Sequence, residues 1–169
     1  MIKTRRLTLR PIHTDDSLQL SPVLLNHQHM QYTVKKTDAA SCVEYFYQLE
    51  QQWQQRGFGV WCLIERFSGE TVGWGGLTID DEEPGWGEEL IYFLKPEKCG
   101  CGYALEMAQA ALDFGFQQLK LNKVAAFAHA SNGASQALLT KLKFEFIRYV
   151  PELERRYFEV SANQNNQHP

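Results

Sequence analysis

The sequence predicts one mixed domain of the α+β class, and three observations carry that expectation. Short apolar runs such as Val60–Glu65, residues 90–94 and Lys123–His129 have strand length and are bounded by Gly, Pro or polar residues. Residues 37–57 and 103–119 instead repeat their apolar positions at helical spacing. The order along the chain is strand, two helices, three strands, helix, strand, helix, two strands. With 169 residues, 44% of them hydrophobic, one such domain buries a sizeable core without covalent staples.

Taken in order, residues 4–10 place Arg6, Thr8 and Arg10 on one face and Arg5, Leu7 and Leu9 on the other, a half-buried strand ended by Pro11. Thr14 or Asp15 caps a short helix running to Leu25. Residues 26–36 have no clean period. They are a connecting loop, or they line a ligand site with His27, His29, Tyr32, Lys35 and Lys36. The next helix is capped by Asp38 or Ser41 and buries Val43, Phe46, Leu49 and Trp53. Its Gln48, Gln51, Gln52, Gln54 and Gln55 are expected on a solvated face, and Gly57-Phe58-Gly59 ends it. Val60–Glu65 and residues 71–77 form a hairpin about Ser68-Gly69-Glu70. Three glycines in its second strand, 73, 75 and 76, predict a bulge or the close approach of another chain or a ligand. Asp80, Asp81, Glu82 and Glu83 then make an acidic turn, which is a solvated tip or an attraction for a cationic amine.

Residues 90–119 organise the rest. Leu90-Ile91-Tyr92-Phe93-Leu94 is a buried strand that stops before Pro96, whose nitrogen cannot donate to a ladder. Cys99-Gly100-Cys101-Gly102 leads into a helix from Tyr103 with small residues at 104, 108, 111 and 115. Glycines let the backbone adopt left-handed angles and remove obstructing side chains. The first N–H groups of the helix lack internal partners, so the loop predicts an anion site for a phosphate or pyrophosphate. A dinucleotide-binding turn requires a third glycine, at the position of Leu105, which is absent. Lys123–His129 then forms a strand parallel to residues 88–94, joined to it by a right-handed crossover. A last helix begins near Ala134 and buries Leu138, Leu139 and Leu142, and residues 144–150 and 155–160 form two final strands. The domain thus spans 1–160, and the Asn/Gln-rich residues 161–169 are expected to be disordered.

Two of these segments resemble a known family. Glu89-Leu90-Ile91-Tyr92 followed by residues 95–106 is similar to the acetyl-CoA motif of the GNAT acetyltransferases, more narrowly their ribosomal-protein N-terminal acetyltransferase (RimJ/RimL-like) branch. In the pattern Gln/Arg-x-x-Gly-x-Gly/Ala, Gly102 and Ala104 fill the last two positions, while Cys99 replaces Gln or Arg. Asn132, Ser135, Lys141 and Phe144 match a second segment, Asn-x-x-Ser/Ala…Lys-x-Gly-Phe, with Lys143 in place of its glycine.

The resemblance implies a GNAT fold: a central mixed, mostly antiparallel sheet of about six or seven strands, flanked by about four helices, with a splayed parallel strand pair. It implies transfer of acetyl from acetyl-CoA, as cosubstrate, to a primary amine on a small molecule or at a protein N-terminus. The cosubstrate then contacts Phe93, Leu94, Cys99, Gly100, Cys101, Gly102, Tyr103, Ala104 and Asn132. Glu89 is the expected base. Leu139 occupies the position where many of the family carry tyrosine, so the acid is Ser135, or none is needed because a CoA thiolate is not a poor leaving group. A non-catalytic acyl-CoA sensor of the same fold is the alternative.

Composition narrows the partners. A net charge of −3 gives no basic nucleic-acid footprint. The opening MIKTRRLTLR has no apolar core, so no signal peptide is expected, and no apolar run reaches membrane-spanning length. Cysteines 42, 62, 99 and 101 form no Cys-x-x-Cys pair or metal pattern, which predicts reduced thiols in the cytoplasm and no metal. At a helix N-terminus, Cys99 and Cys101 are expected to have lowered pKa values. A monomer or a homodimer fits the chain equally.

Overall fold

A computed structural model describes residues 1–81 and 83–162. The described residues form an eight-stranded sheet and four α-helices. The strands are β1 (Ile2–Lys3), β2 (Leu7–Pro11), β3 (Val60–Glu65), β4 (Thr71–Ile79), β5 (Glu88–Leu94), β6 (Lys123–His129), β7 (Glu145–Val150) and β8 (Arg155–Ser161). The helices are α1 (Ser17–Leu25), α2 (Ala39–Arg56), α3 (Tyr103–Gln117) and α4 (Gly133–Lys141). Across the sheet the order is β1-β2-β3-β4-β5-β6-β8-β7.

Every neighbouring pair is antiparallel except β5 and β6, which are parallel and share one paired position, Glu89 opposite Ala125. β4 and β5, by contrast, pair over seven consecutive positions from Gly73/Leu94 to Ile79/Glu88. The parallel pair therefore meets near its start and diverges toward Leu94. A wedge opens in the middle of the sheet.

The two faces have separate cores. On one face α1 and α2 bury Leu20, Leu24, Cys42, Phe46 and Leu49 against Val60, Cys62 and Trp74, with Ile91 and Phe93 packed alongside. On the other, α3 and α4 bury Met107, Ala108, Ala111, Leu112 and Leu139 against Leu7, Leu9, Trp61, Leu63, Leu90 and Leu94. Period-two alternation thus sends Ile91 and Phe93 to the α1–α2 face and Leu90, Tyr92 and Leu94 to the α3–α4 face.

Several local expectations change. Residues 2–3 add a short strand ahead of the first expected one, making eight rather than six or seven. The first helical turn is opened by the Asp16 carboxylate, which accepts from His13 N–H at 2.8 Å, not by Thr14 or Asp15. Val43 is exposed on α2, and Cys42 takes the buried position beside Phe46 and Leu49. Asp38 caps that helix by accepting from Ser41 N–H at 2.8 Å, and Gly57 ends it at φ +72°. β4's glycines are there for neighbours: a Cβ on Gly73 would stand 2.1 Å from Phe93 O, and one on Gly75 2.6 Å from Met107 Cε. Lys143 takes φ +66°, a left-handed angle that glycine would adopt at little steric cost. Ser161 belongs to β8 and Ala162 N–H donates to Asn122 O, so the ordered domain runs past 160. Residues 163–169 of the expected tail, and Glu82 of the acidic turn, lie outside the described residues.

Candidate active site

The wedge between β5 and β6 opens into a cavity of about 560 Å³. Because it passes through the sheet, its lining comes from both faces. Glu89, Ile91 and Phe93 contribute from the α1–α2 side and Tyr92 from the α3–α4 side, with Asn132 and Ser135 from the start of α4. Gln48 and Gln52 of α2 also line it, so that helix's polar face is not simply solvated. Gln52 Oε1 accepts from Thr78 Oγ1 at 2.6 Å.

Glu89 sits where β5 and β6 still touch. Among the described residues no hydrogen bond occupies its carboxylate. Burial raises its pKa to about 7, with Asp80 and Glu83 adding to the rise and Arg155 opposing it. Near neutral pH such a carboxyl can take up a proton and return it to water.

Across the wedge, Tyr92 Oη and Ser135 Oγ are 2.7 Å apart. Burial raises the Tyr92 phenol, and the Ser135 hydrogen bond partly offsets this. Asn132 Oδ1 accepts from Ser135 N–H at 3.1 Å, so Asn132 caps α4 and fixes where Ser135 stands. Leu139 is buried in the core. Tyr92, facing Ser135, was not among the sequence's candidates: a continuous apolar run gives no pattern from which to read sides.

Farther along β5, the Phe93 ring stacks on Trp74 at 4.9 Å between centroids. Lys95 N–H donates to Val72 O, so alternation aims the backbone of Phe93 at β4 and turns the backbone groups of Tyr92 and Leu94 to the open side. There Leu94 O accepts from His29 Nε2 at 2.8 Å. Tyr32 stacks on His129 of β6 at 4.9 Å, and Tyr32, Thr33 and Val34 line the cavity. The unpatterned 26–36 segment is therefore both connection and wall.

At the wide end lies the glycine loop. Gly100 (φ +74°) and Gly102 (φ +82°) both take left-handed angles, and Gly102 opens α3. The first bond of the helix runs from Glu106 N–H to Gly102 O, leaving the preceding N–H groups without intrahelical partners. A Cβ on Gly100 would meet nothing within 4 Å, so the loop is open to a ligand. Cys99 and Cys101 are exposed, Tyr103 is buried, and Ala104 packs against the core from a half-buried position.

Arg6, unmarked by the sequence, pins this loop. It donates to Cys101 O at 2.8 Å and to Glu106 at 2.7 Å, and lies 4.7 Å over the Tyr103 ring. The expected activation of Cys99 is overturned. Desolvation, then Cys101 and Glu97, raise its pKa. Among the described residues no group of three or more His, Cys, Asp or Glu side chains could hold a metal ion, and no helix is long and apolar enough to cross a membrane.

Comparison with known proteins places the chain in a family. The Acetyltransferase (GNAT) domain matches residues 6–145. This chain belongs to the GNAT acetyltransferase family. It is 29% identical to the uncharacterised protein YkkB of Bacillus subtilis over 87% of this chain and 86% of that one. The acetyltransferase from Agrobacterium tumefaciens superposes with a TM-score of 0.85 at 23% identity, covering 95% of this chain and 94% of that one. Spermidine N-acetyltransferase from Vibrio cholerae, solved with CoA and spermine, gives 0.79 at 17% identity, covering 96% and 99%. As a GNAT protein, the chain is an acyltransferase of the class that uses acetyl-CoA, and its mixed sheet with one parallel pair is the GNAT fold.

Proposed function

We propose that this GNAT protein moves acetyl from acetyl-CoA to a primary amine, with Glu89 as base. The observation that carries the reading is a half-buried carboxyl poised at about 7 in the neck of the wedge.

The cosubstrate's pyrophosphate is held by the Gly100–Ala104 backbone, whose open N–H groups at a helix N-terminus suit an anion. Its acyl arm runs back from the loop along the open edge of β5. It passes Leu94, whose carbonyl is held by His29, and then pairs with the open-side backbone of Tyr92 as an added strand would. The Tyr92 N–H, turned into the wedge, is the candidate donor to the thioester oxygen. The amine enters from the α1–α2 side, where Asp80, Asp81 and Glu89 outnumber Arg155 as charges on the lining and favour a cationic acceptor. Glu89 takes the proton that the amine must lose, directly or across one water. The Glu89-Leu90-x-Tyr92 and Asn132-x-x-Ser135 runs support the RimJ/RimL-like branch, and hence a protein N-terminus among the acceptors. Free cysteines, two of them exposed, fit a reducing cytoplasm.

Thiol release from acetyl-CoA tests this against a panel of a polyamine, an amino sugar and peptides with free N-termini. Amine-dependent release together with an acetylated acceptor by mass is expected. Acetyl-CoA binding without release on any amine would instead favour the sensor.

A further inference from the structure

We infer that Tyr92 is the proton source for the departing thiolate, acting through Ser135. The inference rests on the acetyl-transfer reading above and assigns a group that reading leaves open.

Three observations carry it. The family's usual tyrosine position holds Leu139, whose side chain is buried in the core and has no proton to give. A phenol nonetheless lines the wedge from β5: Tyr92 Oη lies 2.7 Å from Ser135 Oγ, and both residues face the cavity. Finally, alternation along β5 puts Tyr92 on the α3–α4 face and Glu89 on the other. The glycine loop that opens α3 lies on the Tyr92 side, so the thiol half of the reaction faces Tyr92 and the amine half faces Glu89.

Ser135 is the relay and not the reservoir. An aliphatic hydroxyl is a far weaker acid than a phenol, whose ordinary pKa of about 10 lies near the thiol value of about 8.5. Burial raises the Tyr92 phenol further, so it holds its proton at neutral pH. Asn132 is a positioning residue, fixing Ser135 through the N–H bond that caps α4.

As the amine bonds to the acetyl carbon, the carbon–sulfur bond breaks and its electron pair goes to sulfur. The Ser135 hydroxyl proton passes to sulfur and the Tyr92 proton passes to Ser135 Oγ. The resulting phenolate is reprotonated from water, while Glu89 returns to water the proton it took from the amine. Atoms and charge balance with no further reactant.

Tyr92→Phe tests the inference with two readouts. The first needs only CoA. Hydrogen bonds from Ser135 and Tyr92 stabilise a bound thiolate, so the thiol of bound CoA, followed by thiolate absorbance, should ionise below free CoA. In Tyr92→Phe that ionisation should move up by about one pH unit, the effect of one hydrogen bond to a charged group. The second is kinetic: kcat should fall at least about tenfold while KM for acetyl-CoA stays within about threefold. Ser135→Ala breaks the same relay from its other end. It should reproduce both effects, which keeps the inference testable if Tyr92→Phe folds poorly.

A contact that merely ties α4 to β5 would move neither readout. An unshifted thiol titration with kcat within about threefold of the parent, in a folded variant that binds CoA, overturns the inference. If the parent binds CoA but acetylates no amine, it is the proposed function that fails, and the thiol titration still decides the role of Tyr92.

Discussion

At the residue scale, burial holds the Glu89 carboxyl at about 7, so its effects on stability and on rate change over the same pH range. Its folded pKa lies above the ordinary 4.5, so the fold favours the neutral form. That stabilisation is full below 4.5 and is lost as pH climbs through about 7. Glu89→Gln, which cannot ionise, should therefore match the parent's Tm at about pH 4 and exceed it at about pH 8. Catalysis runs the other way, because only the ionised carboxylate accepts a proton. The parent's rate should rise with pH through about 7, and Glu89→Gln should be slower by about 10²-fold or more and lose that inflection. A rate within a few-fold of the parent at every pH would reduce Glu89 to a strand-edge carboxylate.

The cysteines make a second prediction at this scale. Cys99 and Cys101 are exposed and Cys42 and Cys62 buried, so mass-spectrometric alkylation should label the first two first. Acetyl-CoA should slow that labelling by covering the loop. The order follows from access alone, since burial pushes the Cys62 thiol up to about 12 and Cys99 is also raised. Equal labelling of all four, indifferent to ligand, would count against a ligand at the loop.

At the scale of elements, the loop and the helix it opens are one device. Gly102 stands at φ +82°, and a Cβ there would press on Arg6 at 3.2 Å. Gly102→Val should thus lose stability by about 1–3 kcal/mol from the strained angle. It should also lose the stabilisation of about 2.7 kcal/mol expected from acetyl-CoA at a hundred times its Kd. A folded variant with an unchanged thermal shift would remove the loop from binding.

Much of this device was legible in the sequence. Pro96 marked the end of β5, the paired glycines marked the turn, and small residues at 108, 111 and 115 marked the face of α3 that packs on the sheet. The sides of β5 were not legible, because its apolar run has no alternation, and this hid Tyr92. Val43 misled because it and Cys42 are adjacent and both apolar, so either completes the helical stripe with Phe46 and Leu49. Arg6 reaches the loop from the bend between β1 and β2, nearly a hundred residues away, a contact that only the sheet order brings about.

At the scale of the whole molecule, the function depends on where the sheet fails to close. Seven consecutive pairings join β4 to β5, and one joins β5 to β6. The wedge lets a cavity pass from the α3–α4 face, with its Tyr92–Ser135 pair, to the α1–α2 face, with Glu89 and the acidic turn. In the proposed reaction, two substrates entering from opposite faces meet there without a covalent acetyl-enzyme. The activated thioester needs chiefly positioning and a base. Initial rates measured while acetyl-CoA and an established amine acceptor are both varied test this most directly. Double-reciprocal lines that intersect are predicted, because both substrates occupy the wedge before the acetyl group moves. Parallel lines, together with an acetyl adduct on the protein after acetyl-CoA alone, would contradict the account.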